Sequence, residues 1–222
     1  MIYNHVRLMI ISKQKSFQHI LSHVKGHSVY IFGCSECATM CRTGGEHEVK
    51  KLAGLLAGEG VFISGWKILE PACNYLNIKR LLPTILKDMK KADYILVMAC
   101  GDGVQVVSSL FPSQTVISGN DTLFLGVKEQ VHQYARKCNL CGDCVVDQFY
   151  ALCPIARCPK HLLNGPCGGS EDGICEVDQH LPCVWEQIYK QFKKRGGDNP
   201  FKIYQPPHDW SKSECIIYEA EK

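Results

Sequence analysis

The stretch DYILVMACGDGVQ, residues 93–105, decides the fold class of this chain. Its mostly apolar first part, Asp93–Ala99, predicts a buried β-strand. Cys100 and two glycines end that strand, and a short helix is predicted directly afterwards, over Val104–Leu110. A second run of this kind, HSVYIFGC at residues 27–34, also ends in glycine and cysteine. Both runs favour buried strands of a parallel sheet.

Strands and helices alternate on both sides of this stretch. We predict strands at 7–11, 27–33, 61–64, 93–99 and 115–118, with 122–125 extending the same sheet. Helices are predicted at 16–24, 46–60, 83–91 and 104–110, with Pro83 in the first turn of the third. Such alternation is typical of parallel strands joined by crossover helices. The predicted fold class is therefore α/β, a small doubly wound parallel sheet over residues 1–127, followed by a loop-rich, cysteine-rich domain.

The composition is that of an ordinary globular chain. Its 222 residues are 45% hydrophobic and 21% charged, and the formal net charge of +3 does not suggest a strongly basic nucleic-acid surface. No run of about 18 apolar residues predicts a membrane-spanning helix. The apolar patch at residues 8–11 is too short for a secretion signal. We expect a cytoplasmic protein.

Cysteine is the unusual component, with 14 residues. Without a secretion signal, a dense cysteine pattern indicates metal binding or catalysis more than disulfides, although a secreted chain whose signal has been removed is the alternative. The cysteines fall into an N-terminal group, a C-terminal group and a single residue in the tail. The three groups are Cys34, Cys37, Cys41, Cys73 and Cys100; Cys138, Cys141, Cys144, Cys153, Cys158, Cys167, Cys175 and Cys183; and Cys215.

The C-terminal group lies in a segment without long periodic runs. Residues 137–182 are interrupted by Gly, Pro and Cys, so something other than an apolar core must order them. We predict a cluster domain over residues 128–195, with a helix at 184–194. An extended tail over residues 196–222 is expected to wrap a surface.

The spacing of the C-terminal cysteines favours iron–sulfur clusters. CxxCxxC at residues 138–144 is the first half of a bacterial ferredoxin run, and Cys-Pro pairs follow at 153 and 158. The gap after Cys144 is too long for a standard ferredoxin. Eight cysteines suit two 4Fe–4S cubes, one on the triplet plus a later cysteine and one on the rest, with the crossing cysteine left open. Two zinc sites need the same number, and purely structural thiols are a third interpretation.

The N-terminal cysteines follow predicted strands, where ligands bind to open parallel sheets. We predict a third metal site there, a 4Fe–4S cluster or a zinc ion, on four of the five, with Cys34 or Cys41 spare. Glycines nearby are expected to let backbone amides face the sulfides; these are Gly33, Gly44, Gly45, Gly101 and Gly103. The alternatives are an empty thiol-rich crevice, with Cys73 and Cys100 as buried apolar thiols, and a nucleotide site, although no GxGxxG motif is present.

At the cysteine-rich segment the chain resembles a known family. CPKHLLNGPCGGSEDGICEV (158–177), together with the triplet, Cys153-Pro154, Cys183 and Trp185, is similar to the methylenetetrahydrofolate reductase C-terminal domain family. More narrowly it resembles the MetV-type iron–sulfur subunit of a flavin-dependent reductase complex. The N-terminal half resembles it through GCSECATMCRTGGEHEV (33–49), ACGDGVQ (99–105) and DTLFLG (121–126), so the resemblance covers residues 28–195. LNGPCGG (163–169) is expected to form a turn, and its glycines are also expected to let backbone amides face cluster sulfides; the two interpretations are compatible.

The resemblance implies a subunit that is not catalytic alone. It would pass electrons between a donor protein, a ferredoxin or a hydrogenase- or heterodisulfide-reductase-type assembly, and the flavin of a TIM-barrel partner. That partner interconverts methylene- and methyltetrahydrofolate in one-carbon metabolism, within the Wood–Ljungdahl pathway. No nucleic acid or membrane partner is implied. Two other hypotheses are a zinc-stabilised scaffold subunit of the same reductase, and a thiol-dependent reductase with Cys100 as nucleophile, for which no sequence feature places a histidine beside it.

Overall fold

The computed structural model describes residues 9–213. Contacts divide the chain into two compact units, one ending at Tyr134 and one beginning at Ala135. Of the predicted strand at 7–11, residues 7 and 8 lie outside the described residues, as does Cys215. The predicted domain limits at 127 and 195 stay predictions. No described helix is long and apolar enough to cross a membrane.

The first unit contains most of the regular structure. Its elements are β1 (Met9–Gln14), α1 (Phe17–Val24), β2 (Ser28–Cys34), α2 (Cys37–Met40), α3 (Glu46–Gly58), β3 (Phe62–Leu69), α4 (Tyr75–Met89), β4 (Tyr94–Met98), α5 (Gly101–Leu110), β5 (Thr115–Ser118), β6 (Asn120–Gln130) and β7 (Gln133–Arg136), the last running across the boundary.

Four of these strands form the parallel sheet that the sequence predicts. Their order is β3-β2-β4-β5, and all three pairings are parallel. The chain leaves β2 outward to β3 and then returns across β2 to β4, so the strand order reverses between β2 and β4. Val49 and Leu52 of α3 pack with Ile31 on one face. Ile78 and Met89 of α4 pack with Phe32 on the other. Each fully buried side chain of this kind stabilises the fold by about 1.5–3 kcal/mol.

Residues 122–125 do not extend that sheet, and the prediction that they do is wrong. They belong to β6, which pairs antiparallel with β1, with Phe124 opposite Ile11, in a separate sheet of order β1-β6-β7. The chain changes sheets at Gly119. Its amide donates to the carbonyl of Val97 at 2.8 Å, and its carbonyl accepts from the amide of Lys15 at 2.9 Å. One residue thereby joins the end of the parallel sheet to the strand that leads away from it.

The predicted helix at 83–91 is also wrong in its start. Helix α4 begins at Tyr75, capped by Asn74, whose side chain accepts from the amide of Asn77 at 3.1 Å. Pro83 lies inside the helix, a position that costs about 3 kcal/mol because the ring removes a donor. Burial of Ile78, Ile85 and Met89 along one helical face offsets that cost.

Hydrogen bonds fix both ends of strand β2 against neighbouring segments of the chain. The carboxylate of Asp93, just before β4, accepts from the amide and the hydroxyl of Ser28, both at 2.8 Å. These hydrogen bonds, the amide first, lower the pKa of Asp93. Near the other end, the carbonyl of Gly44 accepts from the amide of Cys34 at 2.9 Å. A Cβ atom at Gly44 would overlap the carbonyl oxygen of Met98, so this loop requires glycine to lie against β4.

The second unit has little regular structure and a small core. It contains α6 (Pro154–Arg157), β8 (Ile174–Cys175), β9 (Asp178–Pro182), α7 (Val184–Arg195) and short 3₁₀ turns at Val146–Phe149, Pro200–Lys202 and Trp210–Ser213. Helix α7 confirms the predicted helix, and Gly196 ends it. Phe149, Trp185 and Ile188 are the centre of the core, with Phe201 packed against them.

Candidate functional site

The first unit has a cavity of about 300 Å³ that four cysteines line: Cys34, Cys37, Cys73 and Cys100. Cys34 is the last residue of β2, Cys73 follows β3, and Cys100 lies between β4 and α5. The cavity is therefore at the carboxyl edge of the parallel sheet, beside the point where strand order reverses. Open α/β sheets bind their ligands at this position.

Cys41 is the N-terminal cysteine that does not line this cavity. Its thiol donates to the carbonyl of Ile10 at 3.6 Å. Burial raises the pKa of Cys41, and Ser12 and Lys128 only partly oppose that rise. The structure thus brings together four of the five residues that the sequence proposes as ligands. The sequence left Cys34 or Cys41 as the spare, and the structure places Cys34 in the cavity and Cys41 beside β1.

The glycines around the cavity serve close packing. A Cβ at Gly33 would lie 2.5 Å from the carbonyl oxygen of Gly44. A Cβ at Gly103 would lie 2.9 Å from the Cβ of Ala72, in the loop that carries Cys73. Real Cβ atoms do not approach other atoms so closely, so glycine lets α5 and the neighbouring loops meet around the cavity.

Two of the amides that were expected to face the sulfides are engaged elsewhere. The amide of Gly101 donates to the hydroxyl of Thr122 at 2.8 Å. The amide of Gly45 donates to the carboxylate of Glu48 at 3.0 Å, within the first turn of α3. These two glycines therefore fix loop conformation rather than offer free donors.

Burial and mutual repulsion both raise the pKa values of three of the cavity thiols, those of Cys37, Cys73 and Cys100. Burial is the larger cause for Cys37, Cys73 and Cys100. Negative charge on neighbouring sulfurs adds to it: the pKa of Cys73 is raised by Cys100, Cys34 and Cys37. Opposing this, the amides of Gly103 and Asp102 lower the pKa of Cys100. The sulfurs are thus close enough to repel one another as thiolates, and a cation between them would remove that repulsion.

A second cavity lies within the second unit and is also lined by four cysteines: Cys158, Cys167, Cys175 and Cys183. Cys158 and Cys183 are buried, and Cys167 is exposed. Cys175 ends β8, and Cys183 is the N-cap residue of α7. At about 20 Å³ this cavity is narrow, with room for little more than one water molecule.

Lys160 and Glu176 form an ion pair beside the second cavity. The thiol of Cys167 donates to the Glu176 carboxylate at 3.0 Å. That hydrogen bond, followed by the one from Lys160, lowers the pKa of Glu176. Sequence reasoning missed this pair. The residues were visible as a lysine two positions after Cys158 and a glutamate directly after Cys175.

The remaining cysteines of the second unit lie on and beside one loop. Charge on Cys141 and Cys138 raises the pKa of Cys153, after burial as the main cause. Cys144 belongs to the same loop as Cys138 and Cys141, and its thiol is exposed. The side-chain amide of Asn139 donates to the carbonyl of Ile155 at 3.2 Å, which ties this loop to α6.

Helix α6 connects this third set to the second cavity. Cys153 is its N-cap residue and Cys158 its C-cap residue. At about 1.5 Å per helical residue the two lie roughly 8 Å apart along the axis. The third set and the second cavity are therefore neighbours within one unit.

The tail packs on both cysteine-bearing segments of its unit. The side chain of Asn164 donates to the carbonyl of Gln205 at 2.9 Å and accepts from its amide at 2.8 Å. Lys212 forms an ion pair with Asp143 at 2.8 Å. Gly142 contacts the Lys212 backbone so closely that a Cβ there would overlap it. Within the segment LNGPCGG, Asn164 thus anchors the tail.

The donor set of both cavities consists of thiols spread around a space. Among residues 9–213, no three His, Cys, Asp or Glu side chains are close enough together to hold a single metal ion. Four sulfurs around one zinc ion at about 2.3 Å from it would lie roughly 3.8 Å apart. Among the described residues, the cavity thiols are therefore not at the spacing that a single zinc ion requires.

Comparison with known proteins gives one match. Neither the curated proteins nor the solved structures include one that matches this chain. The family match begins in β5 and extends through the second unit, so it contains all eight C-terminal cysteines and none of the N-terminal five. The resemblance proposed for residues 28–116 stays a prediction. Residues 117–211 match the family described as methylene-tetrahydrofolate reductase C terminal.

Proposed function

We propose that the chain is the iron–sulfur, electron-transferring subunit of a methylenetetrahydrofolate reductase complex, of the MetV type. The observation that carries the proposal is the grouping of the cysteines. Eight of them fall into two sets of four, and each set lines one cavity. To these we add a third set of four on and beside the loop that carries Cys138, Cys141 and Cys144. The family match supports the association with this reductase.

Each set supplies the all-thiol donors that a 4Fe–4S cluster takes. The proposed ligand sets are Cys34, Cys37, Cys73 and Cys100; Cys138, Cys141, Cys144 and Cys153; and Cys158, Cys167, Cys175 and Cys183. The first cavity has the room for such a cluster. In the second, the strands and loops would move apart, and Cys167 would exchange the Glu176 carboxylate for iron.

A bound cluster supplies one-electron transfer, and the chain supplies the route. The third set and the second cavity are joined by the single turn of α6, which favours electron exchange between them. We propose that a ferredoxin or a hydrogenase- or heterodisulfide-reductase-type assembly delivers electrons, and that the flavin of the catalytic partner receives them. The pKa of Cys100 is raised by burial, which disfavours the alternative of a thiol nucleophile at that residue.

One observation favours the zinc-stabilised scaffold as a second candidate. The second cavity is about 20 Å³, a size nearer to that of one ion than to that of a cube. In this case the thiols would close on zinc and order the second unit without redox chemistry.

Anaerobic purification of the whole chain separates the two candidates. The proposal expects a brown protein with iron and acid-labile sulfide in equal amounts. Mixing it with the flavin-containing reductase subunit should give a stable complex and restore electron flow from reduced ferredoxin to the flavin. A colourless protein with zinc and no sulfide would establish the scaffold instead. An iron–sulfur protein that neither binds nor reduces the flavoprotein would refute the assignment to this complex.

A further inference from the structure

Trp185 is a buried polar side chain without a hydrogen-bond partner in the described structure. The residue is 2% exposed, and it is one of the residues that line the second cavity. An indole N–H can only donate. Buried donors are nearly always paired in folded proteins, so an unpaired one beside a cavity points to an acceptor that belongs in that cavity.

The side chains around Trp185 hold its ring in place but accept no hydrogen bond from its indole N–H. Phe149 packs edge-on against it, with ring centroids 5.5 Å apart, and Phe201 lies 6.1 Å away. Neither aromatic ring offers an oxygen or a nitrogen acceptor. Arg157, which also lines the cavity, donates to Gln187 at 2.6 Å and is itself a donor. Among the side chains of the residues that line the cavity, the acceptors are the sulfurs of the four cysteines.

We propose that the indole N–H of Trp185 donates a hydrogen bond to a sulfur of the cluster held by Cys158, Cys167, Cys175 and Cys183, and thereby raises its reduction potential. The proposal rests on the iron–sulfur function proposed above. Reduction adds one electron to the cluster, and no bond is formed or broken. A donor to sulfur stabilises the more negative, reduced state more than the oxidised state, so the potential rises. In this proposal Trp185 adjusts the potential of the cluster and is not one of its ligands.

The test compares Trp185→Phe with Phe149→Leu in the whole chain. Trp185→Phe removes the N–H and keeps an aromatic ring, whereas Phe149→Leu disturbs the same packing and leaves the N–H in place. Redox titration followed by electron paramagnetic resonance measures the potential of each cluster. We expect Trp185→Phe to lower the reduced-to-oxidised ratio of one cluster about tenfold at a fixed potential, which for one electron is about 59 mV. Phe149→Leu should leave that ratio unchanged.

A second measurement needs no variant and covers the case in which Trp185→Phe loses its cluster. Tryptophan labelled with ¹⁵N in the indole ring should show a hyperfine coupling to the reduced cluster of the wild-type chain. Equal shifts in both variants would assign the effect to packing and overturn the proposal, as would an unchanged potential or a missing coupling. A wild-type chain without iron and sulfide would refute the proposed function itself, before any variant is compared.

Discussion

Replacing Cys100 by serine should remove one cluster and leave the others. Cys100 lies in the first cavity, at the carboxyl edge of the parallel sheet, whereas the other two cysteine sets lie in the second unit. With three cubes of equal size, the loss amounts to about one third of the bound iron and sulfide. The hydroxyl is smaller than the thiol but can still accept from the amides of Asp102 and Gly103. The cost to folding should therefore stay near 1 kcal/mol.

The matched control is Cys41→Ser. Cys41 directly follows the one-turn helix α2, which begins at the cavity residue Cys37. Its thiol nevertheless contacts Ile10 and does not line the cavity. It should retain all of the iron. The assay is iron and sulfide analysis per chain after anaerobic purification, with circular dichroism to verify that both variants fold. Unchanged iron in Cys100→Ser would show that the cavity holds no cluster. Loss of iron in Cys41→Ser would show that the ligand set has been assigned wrongly.

Three further predictions concern the scaffold around the sites. Gly44→Ala should lower the free energy of unfolding by about 2–4 kcal/mol because its Cβ overlaps a β4 carbonyl. Gly54→Ala in α3, where the added methyl group meets open space, should raise it by about 0.5–1 kcal/mol. Similar urea midpoints for the two variants would contradict the packing argument. Because hydrogen bonds lower the pKa of Asp93, its ionised form stabilises the fold above the unfolded pKa of about 3.9, and this contribution is lost as the pH falls through the lower folded pKa. In Asp93→Asn, the free energy of unfolding should fall less steeply as the pH is lowered into the acid range. An unchanged pH dependence would refute this. Asn164→Ala should expose the tail to proteases, while Gln205→Ala, which keeps the backbone bonds to Asn164, should not; equal cleavage rates would count against the anchor.

The parallel sheet was predictable because its central strands carry their own evidence. β2 and β4 are continuous apolar runs, and a strand buried on both faces has to be apolar throughout. The positions of Cys34 and Cys100 follow from this, since each directly follows such a run. The convergence of the N-terminal cysteines at one edge was therefore available from the sequence alone.

The partners of the weaker strands were not predictable in the same way. β6 is mostly exposed, and its pairing with β1 joins residues far apart in the chain. Local patterning does not contain that information. The start of α4 was missed because Pro83 is a strong local indication of a first turn, and only tertiary burial of Ile78 and Ile85 shows otherwise.

Which of the five N-terminal cysteines stays outside the first cavity depends on side-chain direction as well as on spacing in the sequence. The amide of Cys41 donates to the carbonyl of Cys37 at 2.9 Å, so the two residues are one helical turn apart. Residues at that spacing share a helix face, and spacing alone would direct both thiols into the cavity. The antiparallel strand β1, which the sequence did not pair with β6, supplies the carbonyl of Ile10 that holds Cys41 away. An error in topology thus led directly to an open question at the site.

Each cavity has one cysteine at the N-terminus of a helix, although the two units differ in fold. Cys100 is the N-cap residue of α5, and Cys183 is the N-cap residue of α7. A helix N-terminus carries a partial positive charge worth about 0.3–1 kcal/mol to a nearby anion, more where it is partly buried. Each cavity therefore has one thiol beside a helix N-terminus, a position that favours a negatively charged group. Burial raises the pKa of Cys100, and the amides of Gly103 and Asp102 in the first turn of α5 oppose that rise. In the first unit this helix is α5, which follows strand β4 of the parallel sheet. The second unit, which has no parallel sheet among its described elements, places α7 directly after Cys183 and obtains the same effect with a single helix.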